Sequence, residues 1–214
     1  MSIFIKVCGM TDFDQVQQLN ELEVDYVGFI FYSKSPRCVT QTFSEDQIKQ
    51  ISQLKFSRVG VFVDEPITEL KHIVQKWKLD FVQLHGDESS EYCKEVLKFC
   101  NVIKAFRVGT SDELAQITKP YNHVDYFLFD TRGEQHGGTG YKFNWEQLLV
   151  PLQRPYFLSG GISISDAQQI TEFRTKSEKM YAVDVNSKFE TKPGMKNIGL
   201  LAEFVGQIKK MRDE

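Results

Sequence analysis

A cysteine ends a short strand-like run in IKVCGMTD, residues 5–12. Because side chains alternate along a strand, Lys6 and Cys8 share one face, and Cys8 directly precedes the glycine that ends the strand. A nearby lysine lowers the pKa of a thiol and enriches the thiolate, which can serve as a general base. The alternative is that Cys8 is a small buried hydrophobe, as most free cysteines are.

An aspartate, Asp130, ends a second apolar run, YFLFD. A carboxylate at the end of such a strand is expected to be partly desolvated, which favours its protonated form and suits a general acid. The alternative role is a helix cap or loop anchor. The glycine-rich segment RGEQHGGTG that follows is expected to be a mobile loop over a site, with His136 facing solvent.

Small and polar residues follow two later runs. Gly160 and Gly161 come after PYFLS, and Asn186 and Ser187 come after YAVDV. If these runs are the seventh and eighth strands of a barrel, their loops are where such barrels commonly hold a phosphate through backbone N–H groups. Glycine would let the anion approach the backbone, although a tight turn explains the pair equally well. We expect these four residues to bind phosphate.

Three further polar residues are expected to contact a substrate. Arg37 follows a proline and could hold a carboxylate through two parallel hydrogen bonds, unless it is an ordinary surface arginine. His85 shares a strand face with Gln83, as a satisfied core histidine or as a reactive one. Asp184 ends a later strand. Because an unpaired buried lysine is costly, Asp184 is also the expected partner of Lys6.

These residues need an architecture that gathers many strand ends at one place. Strand-like runs alternate with helical stretches about eight times along the chain. This alternation predicts a parallel sheet with crossover helices, and the count of eight favours a closed (β/α)₈ barrel over an open doubly wound sheet. We expect one domain over residues 1–214. The predicted helices cover residues 13–22, 44–54, 67–77, 89–99, 112–117, 144–149, 165–173 and 198–211.

Composition argues against several classes of function. The 214 residues are 41% hydrophobic and 26% charged, which is ordinary for a globular protein. The net charge of −3, with both signs interleaved, offers no basic surface for nucleic acid or anionic lipid. The longest apolar run, YVGFIFY, is far shorter than the ~20 residues that span a bilayer. The cysteines lack zinc-ligand spacing, so we expect a cytoplasmic protein that needs no metal.

In their order along the chain, these motifs resemble those of the phosphoribosylanthranilate isomerase family. The matching segments are KVCGMT, GFIFYSKSPR, VGVFVDE, VQLHGDE, KAFRV, FDTRGEQHGGTG, LSGGIS and VDVNSKFETKPGMK. The resemblance implies a (β/α)₈ barrel that converts N-(5-phosphoribosyl)anthranilate into 1-(2-carboxyphenylamino)-1-deoxyribulose 5-phosphate. This reaction is an Amadori rearrangement of tryptophan biosynthesis and needs no cofactor.

The resemblance also implies roles for individual residues. Cys8 would be the general base and Asp130 the general acid, while Arg37 would meet the anthranilate end of the substrate. The loops after strands seven and eight would hold the phosphate. One departure puts the phosphate contact in doubt, because Lys188 follows Asn-Ser where related sequences usually have a glycine. The oligomeric state, monomer or homodimer, stays open.

Two other functions remain as alternatives. One is another phosphosugar barrel enzyme of the tryptophan or histidine pathways. Histidine-pathway isomerases of similar chemistry resemble a duplicated half-barrel with two catalytic aspartates, whereas the first strand here ends in Cys8 and shows no clear repeat. The other is a barrel that has lost catalysis and serves as a scaffold. The joint presence of Cys8, Asp130 and Arg37 argues against that alternative.

Overall fold

A computed structural model describes residues 2–108, 114–131 and 143–210 of the chain. Eight strands pair in chain order and close into a barrel, because the first strand also pairs in parallel with the eighth. The fold class predicted from the sequence is confirmed. The barrel strands are β1 (Phe4–Cys8), β2 (Tyr26–Ile30), β3 (Ser57–Phe62), β4 (Phe81–Leu84), β5 (Asn101–Val108), β6 (Tyr126–Thr131), β7 (Tyr156–Leu158) and β8 (Met180–Val185).

Helices connect successive strands and cover the outside of the barrel. Local capping fixes where two of them begin: Asp12 accepts a hydrogen bond from the backbone N–H of Gln15, and Ser44 and Gln47 form a reciprocal capping box. The α-helices are α1 (Phe13–Glu21), α2 (Glu45–Ile51), α3 (Ile67–Trp77), α4 (Ser90–Leu97), α5 (Leu114–Thr118), α6 (Ala167–Lys176) and α7 (Ile198–Lys210). Among the described residues, none of the helices is long and apolar enough to cross a membrane.

Two segments differ from the sequence prediction. The α-helix predicted over 144–149 is wrong, because Trp145–Leu148 forms a short 3₁₀-helix instead. Pro151 follows closely and cannot donate a helical hydrogen bond, so the turn does not extend. After β8 the chain forms an unpredicted antiparallel hairpin of β9 (Glu190–Lys192) and β10 (Met195–Lys196). Its turn uses Gly194 at φ 84°, a conformation that favours glycine.

The barrel interior is apolar at one end and polar at the other. Near the amino ends of the strands, Tyr26, Phe157 and Tyr181 pack against one another, and the hydroxyls of Tyr26 and Tyr181 lie 2.8 Å apart. This aromatic layer fills the lower barrel. A larger apolar core lies between the strands and the helices. The carboxyl ends of the strands are thereby left to carry polar side chains, as in other barrels of this kind.

Candidate active site

A cavity lies at the carboxyl ends of the barrel strands. Every residue that the sequence nominated for catalysis or binding lines it. They are Cys8, Arg37, His85, Asp130, Gly160, Gly161, Asp184, Asn186 and Ser187. The closed barrel accounts for this convergence, since it brings the ends of β1, β4, β6, β7 and β8 around one opening.

The thiol of Cys8 is packed tightly at the cavity wall, where the residue is only 4% exposed. It faces Gly28 of the neighbouring strand β2, and a Cβ atom added to Gly28 would lie 2.6 Å from the Cys8 sulfur. A side chain at Gly28 would therefore displace the thiol. A glycine inside a strand often marks such a close approach, so YVGFIF carried a signal that the sequence interpretation did not use.

Burial raises the pKa of Cys8 above its ordinary value, and the carboxylate of Asp184 adds to the rise. Lys6 and Lys196 act in the opposite direction without reversing it. The expectation that Lys6 would leave this thiol with a lowered pKa is therefore wrong. The physical reason is that Lys6 is already paired with Asp184, while the thiol has lost most of its contact with water.

The predicted pairing of Lys6 with Asp184 is confirmed. The Lys6 Nζ atom lies 2.8 Å from Asp184 Oδ1, with the two side chains 0% and 6% exposed. Burial alone would lower the pKa of Lys6, but Asp184 and Cys8 together hold it above the ordinary value. The second carboxylate oxygen of Asp184 accepts a hydrogen bond from Ser159 at 3.3 Å. Asp184, on β8, thus contacts β1 and the residue that directly follows β7.

Asp130 and His85 face each other across the end of the barrel. Their closest atoms, Asp130 Oδ2 and His85 Nε2, are 3.5 Å apart, and both side chains are partly exposed to the cavity. The Gln83 amide lies 2.9 Å from His85 Nδ1 and donates to it in this orientation. The neutral imidazole then carries its proton on Nε2, towards Asp130. The other oxygen of Asp130 accepts the backbone N–H of Thr131 at 2.8 Å.

Arg37 is held by a residue that the sequence interpretation did not identify. Its Nε donates to Glu190 Oε1 at 2.9 Å, and its Nη2 donates to Oε2 of the same carboxylate. The side chain is 14% exposed, so Arg37 is not an ordinary surface arginine. Hydrogen bonding to Glu190 raises the pKa of Arg37. Glu190 thus takes up the Nε and Nη2 donors of the guanidinium, while Arg37 lines the cavity.

The predicted phosphate corner lies between β7 and β8. Gly160 and Gly161 have φ values of 92° and 67°, and a Cβ on Gly160 would come within 2.7 Å of the Thr131 backbone nitrogen. Side chains are therefore excluded at Gly160 on two grounds. The exposed Lys188 also lines the cavity here, at the position where the family resemblance would have placed a glycine.

The RGEQHGGTG segment, which was predicted to be a loop over the site, and His136 within it lie outside the described residues. Within the described ranges, no group of three or more His, Cys, Asp or Glu side chains is arranged to hold a metal ion. A further cation, Arg107 of β5, lines the cavity and lies 3.2 Å from Asp87.

Comparisons with known proteins show which family the chain is similar to. Residues 5–207 match the family described as N-(5'phosphoribosyl)anthranilate (PRA) isomerase. The N-(5'-phosphoribosyl)anthranilate isomerase of Parabacteroides distasonis is 39% identical over 208 residues, which cover 96% of this chain and 93% of that protein. Phosphoribosyl anthranilate isomerase from Thermotoga maritima has a similar structure, with a TM-score of 0.83, 31% identity, and coverage of 97% of this chain and 99% of that chain.

A second solved structure adds a ligand to the comparison. It is a phosphoribosyl anthranilate isomerase in complex with reduced 1-(o-carboxyphenylamino)-1-deoxyribulose 5-phosphate. Its TM-score is 0.81 at 29% identity, with coverage of 97% of this chain and 99% of that chain.

Proposed function

This chain belongs to the N-(5'-phosphoribosyl)anthranilate isomerase family, and we propose that the cavity at the carboxyl ends of its strands is the active site of that reaction. The protein is an aldose–ketose isomerase of tryptophan biosynthesis. It converts N-(5-phosphoribosyl)anthranilate into 1-(2-carboxyphenylamino)-1-deoxyribulose 5-phosphate by an Amadori rearrangement.

The observation that carries the residue assignments is topological. Cys8 ends β1 and Asp130 lies near the end of β6, and the strands between them in the closed barrel are β7 and β8. The loops after β7 and β8 contain the predicted phosphate corner. A sugar phosphate anchored there would extend its ribose between the thiol and the carboxyl group, so that each faces a different atom of the sugar.

Asp130 acts as the general acid in the first step. It donates a proton to the ring oxygen of the ribose, the bond from that oxygen to C1′ breaks, and the nitrogen lone pair forms a protonated Schiff base. The neighbouring His85, whose Nε2 faces Asp130, orients the carboxyl group. The step needs no electron acceptor, since the bonding pair that leaves C1′ stays on the ring oxygen.

Cys8 acts as the general base in the second step. Its thiolate removes the proton from C2′, and the electrons of that bond form the C1′–C2′ double bond of an enamine while the Schiff base nitrogen becomes neutral. Tautomerisation of the enol at C2′ then gives the ketone. Lys6 favours the thiolate that this step requires.

The two ends of the substrate are both anionic and meet different parts of the cavity. The phosphate binds to the backbone of Gly160, Gly161, Asn186 and Ser187. The anthranilate carboxylate binds the Nη1 side of Arg37, because the other side is used by Glu190. His85 and Asp184 contact the ribose from the cavity floor. We also propose that the enzyme works in the cytoplasm on a small-molecule substrate, without nucleic acid, membrane or cofactor.

A turnover assay tests the function directly. Incubation of the purified protein with N-(5-phosphoribosyl)anthranilate should remove the fluorescence of its aminobenzoate group as product forms. Absence of turnover by correctly folded protein would favour the scaffold alternative, and selective turnover of a histidine-pathway aminoaldose would favour the other barrel enzymes. Light scattering distinguishes a monomer from a homodimer; one solved Thermotoga maritima relative is described as monomers generated from a dimeric phosphoribosylanthranilate isomerase.

A further inference from the structure

A cluster of buried charges lies behind the cavity wall, beside the hairpin β9–β10. The side chain of Lys196 is 0% exposed, and its Nζ atom donates to Glu190 Oε1 and to Asn186 Oδ1, both at 2.7 Å. Glu190 is 4% exposed and also accepts the hydrogen bonds of Arg37. One carboxylate therefore holds two cations, and the reaction steps described above use neither Glu190 nor the contacts of Lys196.

Contacts outside the cavity hold this cluster in place. The backbone N–H of Gly194 donates to Glu190 Oε1 at 3.1 Å. The backbone of Lys196 makes two hydrogen bonds with the side chain of Gln15 on α1, each 2.8 Å long. The hairpin is thus attached to the first helix by hydrogen bonds within the protein.

The cluster is close to the catalytic end of β1. Gly9, which follows Cys8, packs against Arg37 and Asn186 so tightly that a Cβ atom there would lie 2.7 Å from Arg37 Cδ and 2.8 Å from Asn186 Oδ1. Four charged groups act on the thiol or are acted on by it. They are Lys6 on β1, Asp184 on β8, Arg37 in the loop after β2, and Lys196 on β10.

The charges in this surrounding do not cancel. Lys6 and Asp184 form one neutral pair. Arg37 and Lys196 share the single carboxylate of Glu190, which leaves one positive charge in excess. Burial holds the pKa of Lys196 below its ordinary value, and Glu190 opposes this fall without reversing it.

We propose that Glu190 and Lys196 are positioning residues for the isomerisation. Glu190 fixes the guanidinium of Arg37 so that its Nη1 side faces the substrate carboxylate, and Lys196 supplies the positive charge that stabilises the Cys8 thiolate. This inference rests on the proposed roles of Cys8 and Arg37.

The role of Lys196 is tested by the reactivity of the thiol, which does not require turnover. The rate of Cys8 alkylation by iodoacetamide is measured against pH, with peptide mass spectrometry to separate Cys8 from the other cysteines. In Lys196→Met and Lys196→Gln the midpoint should move to higher pH, by about half a unit or more, because a cation near the thiolate is lost. Lys196→Arg, which keeps the charge, should stay near the wild type.

Lys209→Met provides the matched control. Lys209 also pairs with a glutamate, at 3.1 Å from Glu23, but it does not line the cavity. Its replacement should leave the Cys8 midpoint unchanged. Equal midpoints in wild type and both neutral Lys196 variants would overturn the electrostatic role. An equal shift in Lys196→Arg would also overturn it, since only packing would then explain the change. If the wild type fails to turn over substrate, the proposed function fails, whereas this measurement still gives its own answer.

The role of Glu190 is tested by ligand binding. Glu190→Gln should weaken binding of the reduced product analogue, while the same analogue without its ring carboxylate should bind wild type and variant alike. Calorimetric titration measures both affinities. A similar loss for the two analogues would show that Glu190 only maintains the fold and would overturn the positioning role.

Discussion

At the scale of single residues, the site combines a thiol and a carboxyl group that the fold treats differently. Cys8 is almost fully buried, whereas Asp130 is partly open to the cavity and faces an imidazole. A buried thiol keeps its proton to higher pH, so the cations near it determine how much thiolate is available. The Asp130 carboxyl group, by contrast, is accessible from the cavity.

Removing either group should abolish most of the activity. Cys8→Ser and Asp130→Asn keep the shape of the side chain, but a serine hydroxyl is a very weak base and an amide has no acidic proton. Because general acid or base groups contribute ~10²- to 10⁴-fold, kcat should fall at least about a hundredfold in each variant. Affinity for the reduced product analogue should change much less. Near-normal turnover in a variant with native circular dichroism would remove that residue from its role.

In the wild type, the Cys8 thiol should lose its proton at a higher pH than an ordinary cysteine does. Burial holds the pKa of Cys8 above its ordinary value of 9.0, so the thiol form prevails below that pH and the thiolate forms only as pH rises above it. The alkylation rate of Cys8 should accordingly rise through a midpoint above 9.0. A midpoint below that value would show that the nearby cations outweigh desolvation.

Lys188 is expected to add a side-chain contact to the phosphate. Lys188→Gln removes the charge, and an exposed ion pair of this kind contributes little, so KM should rise about two- to fivefold with kcat retained. Inhibition by inorganic phosphate should weaken in parallel, and the difference should shrink at high salt. Lys192→Gln is the matched control, because Lys192 is exposed on β9 but does not line the cavity. Equal effects of the two changes would contradict a specific contact.

At the scale of elements, the sequence predicted the strands better than their tertiary partners. All eight barrel strands follow from β-rich runs, and their exits carried the nine predicted site residues. Glu190 and Lys196 were missed because the stretch after β8 carries no hydrophobic periodicity, and because Arg37, which ties Glu190 to the cavity, is distant along the chain. Glu190 is 153 residues from Arg37. The pairing of Lys6 with Asp184 could be predicted, since barrel closure makes β1 and β8 neighbours.

Gly28 of β2 has no side chain, and this leaves the space that the Cys8 thiol occupies. Gly28→Ala would place a methyl group 2.6 Å from the Cys8 sulfur, so the thiol would have to move. Because a catalytic group that is displaced from its productive position loses rate, kcat should fall by about a factor of ten or more. Gly206→Ala is the control. Gly206 lies within α7, and an added Cβ would meet nothing within 4 Å, so this change should keep activity and raise the melting temperature. Full activity of Gly28→Ala would show that the close contact is unimportant.

At the scale of the whole molecule, the charges beside the Cys8 thiol also contribute to barrel closure. The aromatic layer fills the lower barrel, and the pair of Lys6 and Asp184 lies above it, joining the first and last strands directly beneath Cys8. A fold that closes on a buried ion pair gains a fixed register at that seam. The charges beside the thiol are therefore part of the structure that closes the barrel.

Breaking the Lys6–Asp184 pair should lower the stability of the fold, and the loss should depend on whether the partner charge is still present. Lys6→Met or Asp184→Leu alone leaves an uncompensated buried charge, so each should lower the free energy of unfolding by about 3–5 kcal/mol. The double variant removes both charges and should recover much of that loss. Urea unfolding measures all four proteins, and simple additivity of the single losses would contradict the coupling.

The pH dependence of stability gives a second check on the pair. Since pairing raises the pKa of Lys6 above 10.5, its contribution is complete below that pH and should disappear in the wild type as pH rises through the raised pKa. Lys6→Met, which has no amine to titrate, should lack that alkaline loss.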